Sequence, residues 1–224
     1  MLYMLDTADL ESIRHCNEFY PIAGVTTNPS IISKQKNDFW VLVEGIRSII
    51  GPDKMLHVQT TQKVAEDIVA EATLLNSRLG GDFYIKIPIS EEGLKATMML
   101  KELGIPVTMT AIFTPAQALI AAKAGATFVA PYVNRLDNIL SDGVSVVEEI
   151  VQIFRLHGLD TKVLAASFKT AEQVHKCALC GCHSVTITGD IMKTLISHPM
   201  LDAALSNFDK DWKAAYGNKT ILDF

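Results

Sequence analysis

Short, unbroken apolar runs recur through this chain at nearly even intervals, each followed by a stretch with helical periodicity. The runs are Leu2–Asp6, Ile22–Val25, Met55–Gln59, Phe83–Pro88, Pro106–Thr110, Phe128–Tyr132, Val163–Ser167 and Ser184–Thr188. They are short, rich in β-branched and aromatic residues and bounded by Gly, Pro, Asp or Ser, so they read as strands. Their continuity, in place of strict polar–apolar alternation, is what a parallel sheet covered by helices requires. Between them, Val64, Ile68, Ala72 and Leu75 mark one helix face, and Ala96, Met99, Leu100 and Leu103 another. Further helices are expected through Ser12, Ile13 and Cys16, through Phe39, Val43 and Ile46, over Pro115–Lys123, and through Val146, Ile150, Ile153 and Phe154. Ser90 is placed to cap the helix after the fourth strand, and Gly104 to stop it.

Eight such units in 224 residues leave about 28 residues apiece, with no room for a second domain. The expected fold is α/β, a single (β/α)8 TIM barrel over residues 1–224, with an extra C-terminal helix at about 199–216. An open doubly wound sheet is the alternative, but no Gly-rich dinucleotide turn follows the first strand.

A net charge of -5 and a pI near 5.7 argue against a nucleic-acid or anionic-membrane surface. No apolar run approaches the ~18 residues of a membrane span. Asp6 follows a five-residue start with no basic region and no secretory apolar region, so a cytoplasmic location is expected. Cys177-x-x-Cys180-x-Cys182-His183 has the density of a metal or redox cluster, yet no second ligand pair accompanies it. The expectation is a helix end, a turn at Gly181 and thiols used as core filler, with no metal and no disulfide.

Lys86 interrupts the fourth strand. With a strand period of two, Phe83, Ile85 and Ile87 face one side, and Tyr84 and Lys86 the other. Burial favours a neutral lysine amine, which attacks carbonyls; the competing reading is a strand-end lysine reaching to water. In a parallel barrel, functional side chains stand at the C-terminal strand ends. Asp6, Asn28, Gln59, Lys86, Thr110, Tyr132 and Ser167 stand there. One polar residue at a strand end is ordinarily a cap. A ring of amides and hydroxyls around one lysine is what Schiff-base chemistry on a sugar would use.

Gly24-Val25-Thr26-Thr27-Asn28-Pro29-Ser30-Ile31-Ile32 and Ile85-Lys86-Ile87-Pro88 resemble the two signature stretches of the transaldolase family. Val129–Arg135, Leu164–Lys169 and the Asp211-Trp212 tail resemble its small branch, the fructose-6-phosphate aldolases. The resemblance runs from Asp6 to about Tyr216. It implies a class I aldolase without metal or cofactor, in which Lys86 forms the Schiff base. By the same resemblance, Asp6 and Asn28 hold substrate hydroxyls, with Asp6 also accepting the C4 hydroxyl proton. Gln59, Thr110 and Tyr132 position a water for proton transfer. Arg135, Ser167 and, less directly, Lys169 meet the substrate phosphate, and Thr26 belongs to the substrate-binding stretch.

Transaldolases carry a glutamate in place of Gln59 and a phenylalanine in place of Tyr132, so this pair implies the aldolase branch. Thr108 departs from that branch, where a larger aliphatic side chain stands. The activity implied is cleavage or formation of fructose 6-phosphate from dihydroxyacetone and glyceraldehyde 3-phosphate. Alternatives are a transaldolase of the pentose phosphate pathway and a non-catalytic sugar-phosphate-binding barrel. The implied partners are sugar phosphates, small ketones and aldehydes, and further copies of the chain. After the eighth unit, Leu201, Leu205, Phe208, Trp212 and Tyr216 form a helical apolar stripe. The resemblance places this helix on a neighbouring subunit of a pentamer or decamer; a lid on its own barrel is the other reading.

Overall fold

In the computed structural model, which describes residues 1–224, every strand pairs in parallel with the strands before and after it in the chain. The strands are β1 (Leu2–Asp6), β2 (Ile22–Thr26), β3 (Met55–Gln59), β4 (Phe83–Pro88), β5 (Val107–Ile112), β6 (Phe128–Pro131), β7 (Lys162–Ala165) and β8 (Ser184–Ile187). Pairing of β1 with β8, Leu5 opposite Ile187, closes the ring. Eight helices cover it: α1 (Leu10–Phe19), α3 (Phe39–Ile50), α4 (Ala65–Leu79), α5 (Glu91–Glu102), α6 (Pro115–Ala124), α8 (Gly143–Leu156), α9 (Ala171–Leu179) and α10 (Gly189–Ile196). Three more stand outside this repeat: α2 (Pro29–Lys34), α7 (Val133–Asp137) and α11 (Pro199–Tyr216). The fold is the (β/α)8 barrel with an additional C-terminal helix.

Local chemistry starts the helices where the sequence places caps. Asp9, Asn28, Ser90, Asp142 and Thr170 each accept a bond from a first-turn backbone N–H. Such a cap is worth about 1 kcal/mol. Gly104 follows α5 with φ +69, a conformation that carries no Cβ penalty in glycine.

Four local expectations are corrected. Val133–Asp137, which by composition reads as a loop after the sixth strand, is instead the helix α7, with Tyr132 at its N-cap. β5 begins after Pro106 and continues past Thr110, with a bulge at Ala111, whose φ is +57. The buried face of α8 is Val147, Ile150 and Phe154, leaving Val146 and Ile153 half-buried. Val64 and Leu103 prove to be the exposed caps of α4 and α5, where the helical spacing has already run out.

Outward strand residues such as Leu5, Val25, Leu56, Ile85, Met109, Val129 and Val185 pack beneath the helices in one continuous core. Inward residues divide by height. Met4, Met55, Phe128 and Leu164 fill the lower barrel, with Tyr84 against them. Above them the interior turns polar. On α11, by contrast, no residue is buried, and Phe208 is 67% exposed. Its end folds back on itself, with the indole N–H of Trp212 donating to the Lys219 carbonyl at 2.7 Å and Tyr216 edge-on to Phe224.

Gly24 stands opposite Met55 where β2 pairs with β3. A Cβ there would stand 2.2 Å from the carbonyl oxygen of Met55, which is backbone and cannot swing away. Gly24→Ala should therefore cost at least about 1–3 kcal/mol, read as a lowered midpoint in urea denaturation. An unchanged midpoint would contradict this packing.

Candidate active site

Inward parity on neighbouring strands gathers the polar layer. Register pairs Asp6 with Thr26, Gln59 with Lys86, Lys86 with Thr108, and Thr110 with Ala130. Lys86, on β4, is 3% exposed, and its Nζ donates to the backbone carbonyl of Thr27 at 2.9 Å. The competing picture, a lysine reaching out to water, does not hold: the side chain is buried at the floor of the barrel mouth and its amine is held by a backbone carbonyl.

Asp6 is the carboxylate that Lys86 feels, although the two form no direct ion pair. Burial pushes the Lys86 amine below its usual pKa of 10.5, and Asp6 offsets part of that fall. Burial pushes the Asp6 carboxyl up, offset by Lys86 and by the bond from Thr26 Oγ1 at 2.9 Å. Desolvation thus favours the neutral form of both groups, which lowers the cost of passing a proton between them. Thr26 also shares a 2.7 Å hydrogen bond with Thr186, tying Asp6 to the seam between β1 and β8.

Tyr132 stands at the N-cap position of α7, and its phenol lies 3.1 Å from Thr110 Oγ1. The Arg135 guanidinium sits over its ring, 4.6 Å from the centroid, and Phe113 meets it edge-on. A cavity of about 280 Å³ opens above Lys86. Among the residues expected at the site, Asp6, Asn28, Lys86, Tyr132, Arg135, Ser167 and Lys169 line it. Thr26 and Thr110 stand behind it, each bonded to a lining side chain. Gln59, half-buried beside Lys86 in register, does not line it. Asn28 spends its carbonyl oxygen on the Ile31 N–H, leaving its amide N–H groups free to donate. Ser167 holds φ +61, a left-handed conformation costing roughly 1–3 kcal/mol in a non-glycine residue. Its carbonyl accepts from Asn134 N–H at 2.8 Å, which docks the β7 loop on α7.

Sequence reasoning missed Ser30, Lys34, Thr186 and Thr188, which also line the cavity. It missed His57 as well, whose signal was its inward parity two residues before Gln59. His57 is 0% exposed, stacks on Tyr84 with centroids 4.5 Å apart, and bonds Thr108 through Nδ1 at 2.9 Å. Burial, then the nearby Lys86 charge, hold its pKa well below 6.5, so the ring is neutral at pH 7. Thr108, out of place by the resemblance, is explained by this partner.

The cysteine cluster lies elsewhere. Cys177, Cys180 and Cys182 are free thiols at the foot of β8; Cys180 donates to the backbone carbonyl of Cys177, and Cys182 to those of Val163 and Ser184. Burial pushes the Cys182 thiol up to about 11. No group of three or more His, Cys, Asp or Glu side chains is arranged to hold a metal ion. No helix is long and apolar enough to cross a membrane.

Residues 3–220 match the family model described as Transaldolase/Fructose-6-phosphate aldolase. The chain belongs to the transaldolase/fructose-6-phosphate aldolase family. It is accordingly an enzyme of a group that acts on sugar phosphates through a Schiff base without metal. Membership covers both activities in the family's description and does not divide them.

The environment of Lys86 is open to direct titration. After reductive methylation with labelled formaldehyde, its NMR resonance should titrate below 10.5. In Asp6→Asn the midpoint should fall further, because the carboxylate that favours the ammonium is gone. A midpoint at or above the ordinary lysine value would refute the desolvated amine.

Proposed function

We propose that this chain is a class I aldolase that cleaves fructose 6-phosphate to glyceraldehyde 3-phosphate and dihydroxyacetone, and runs the reverse condensation. The observation that carries this reading is the Tyr132 phenol, bonded to Thr110 at the rim of the Lys86 cavity. The neutral Lys86 amine attacks the C2 carbonyl, and loss of water from the carbinolamine leaves an iminium. Asp6 takes the C4 hydroxyl proton as the C3–C4 bond breaks. The bonding pair flows into the iminium, giving an enamine, and glyceraldehyde 3-phosphate departs. Asn28 and Thr26 serve the sugar hydroxyls, the latter through Asp6; Arg135, Ser167 and Lys169 take the phosphate.

The branch is decided by what protonates the enamine. An amide cannot act as a general acid, whereas a phenol can. Tyr132, through a water held with Gln59 and Thr110, delivers the proton to the enamine carbon. Hydrolysis of the resulting iminium then frees dihydroxyacetone and Lys86. With a phenylalanine at 132, the enamine would wait for a sugar-phosphate acceptor, which is transaldolase behaviour.

A coupled assay tests this with and without erythrose 4-phosphate as acceptor. The wild type should release both products without it, and borohydride with a ketose should trap Lys86 alone among the lysines. Tyr132→Phe should lose about 10²–10⁴ of the release rate. Adding Gln59→Glu should raise transfer to erythrose 4-phosphate. Strict dependence of the wild type on that acceptor would move the chain to the transaldolase branch, and activity surviving in Lys86→Arg would end the Schiff-base reading.

We also propose that α11 sets its apolar stripe on a neighbouring copy of the chain, within a pentamer or decamer. Leu201, Leu205, Phe208, Trp212 and Tyr216 are all exposed on a helix that buries nothing against its own barrel. A patch of this kind on a free monomer invites aggregation. Removing the chain from Pro199 onward should give smaller or insoluble species by light scattering; monomers from both lengths of chain would contradict the assembly.

A further inference from the structure

The cavity over Lys86 holds more positive charge than the chemistry above uses. Besides Lys86, three cationic side chains line it, Lys34, Arg135 and Lys169, against a single carboxylate, Asp6. Asp6 is already engaged with Thr26 and faces Lys86. None of the three cations is in an ion pair; the ion pairs of the chain join residues that do not line this cavity. In a chain of net charge -5, that local excess makes a field for anions.

Arg135 and Lys169 come from the segments after β6 and β7. Lys34 comes from elsewhere. It ends α2, on the face where Ser30 and Ile31 also line the cavity. In a ring of eight strands joined in chain order, β2 stands opposite β6. Lys34 therefore enters the mouth from the wall facing Arg135. Asn28 sets this direction, because its side chain caps α2 and so aims the helix over the opening. A lysine is a flexible point charge, which suits contact with a phosphate whose position shifts with the length of the sugar.

We propose that Lys34 is a specificity-determining residue that recognises the substrate phosphate from the wall opposite Arg135. This rests on reading the cavity as a sugar-phosphate site, and two readouts keep the ideas separable. Inorganic phosphate titrated into the full-length protein, followed by ³¹P NMR, reports the anion site without any catalysis. Lys34→Gln should weaken phosphate binding about three- to tenfold, between the worth of an exposed ion pair and that of a charge-assisted hydrogen bond. Lys34→Arg should restore it. Lys36→Gln, an equally exposed change two residues away and outside the cavity, should leave it as in the wild type.

In the condensation with dihydroxyacetone, the kcat/KM ratio of glyceraldehyde 3-phosphate over unphosphorylated glyceraldehyde should fall in Lys34→Gln by a similar factor. The drop should appear in KM and shrink as salt is raised. Unchanged phosphate affinity in Lys34→Gln, an unmoved ratio, or failure of Lys34→Arg to restore binding would each overturn the assignment. Borohydride trapping with dihydroxyacetone, which carries no phosphate, judges the Lys86 chemistry separately. If trapping fails, the catalytic reading falls and the phosphate titration still decides Lys34.

Discussion

Desolvation of one amine organises this molecule. Lys86 has traded water for a closed barrel, a single backbone acceptor on Thr27 and a carboxylate it does not touch. An isolated buried ammonium is among the most costly groups a protein can hold, and relief comes from losing the proton. The surroundings are built so that this relief is available but incomplete. Asp6 and the Thr27 carbonyl keep the charged form within reach, while the uncharged His57 ring in the layer below adds no positive charge. On the proposed Schiff-base mechanism, a carbonyl substrate then meets an amine already released from part of its proton affinity.

The remaining polar network fixes that environment more than it adds to overall stability. The Asp6–Thr26–Thr186 chain and the His57–Thr108 pair each satisfy polar groups that would otherwise be buried and unpaired. One nitrogen, His57 Nε2, keeps no partner. Below this layer the interior is apolar and aromatic, with Tyr84, His57 and Phe128 stacked or edge-on, so the floor under Lys86 is rigid. The rim is open to solvent, where Lys34 and Lys169 are exposed and Arg135 leans on Tyr132.

Much of this was legible in the residues. Continuous apolar runs at even spacing point to a parallel sheet covered by helices on both faces, and eight such units with no Gly-rich dinucleotide turn favour its closed form over the open one. Parity along Phe83–Pro88 puts Lys86 inside once the ring is known to close. What escaped was set by three-dimensional circumstance. Lys34 and Ser30 reach the cavity only because α2 is short and turned over the mouth, and a single lysine in a polar stretch carries no such mark. Val133–Asp137 resembles a loop in composition, and its helix depends on docking to the β7 segment through Asn134 and Ser167. The departure at Thr108 had no local explanation, because its partner lies 51 residues away on β3.

The seam between β1 and β8 has a consequence for how the enzyme comes into being. The Thr26–Thr186 bond spans 160 residues, and Asp6 lines the same cavity as Thr186 and Thr188. Contacts of such separation are paid for in loop-closure entropy before they return any energy. A chain emerging from the ribosome therefore holds Lys86 early, yet with the ring open that amine stays hydrated and without the burial that lowers its pKa. On the proposed mechanism, reactivity arrives with closure, so the growing polypeptide is protected from its own nucleophile until the last strand is in place.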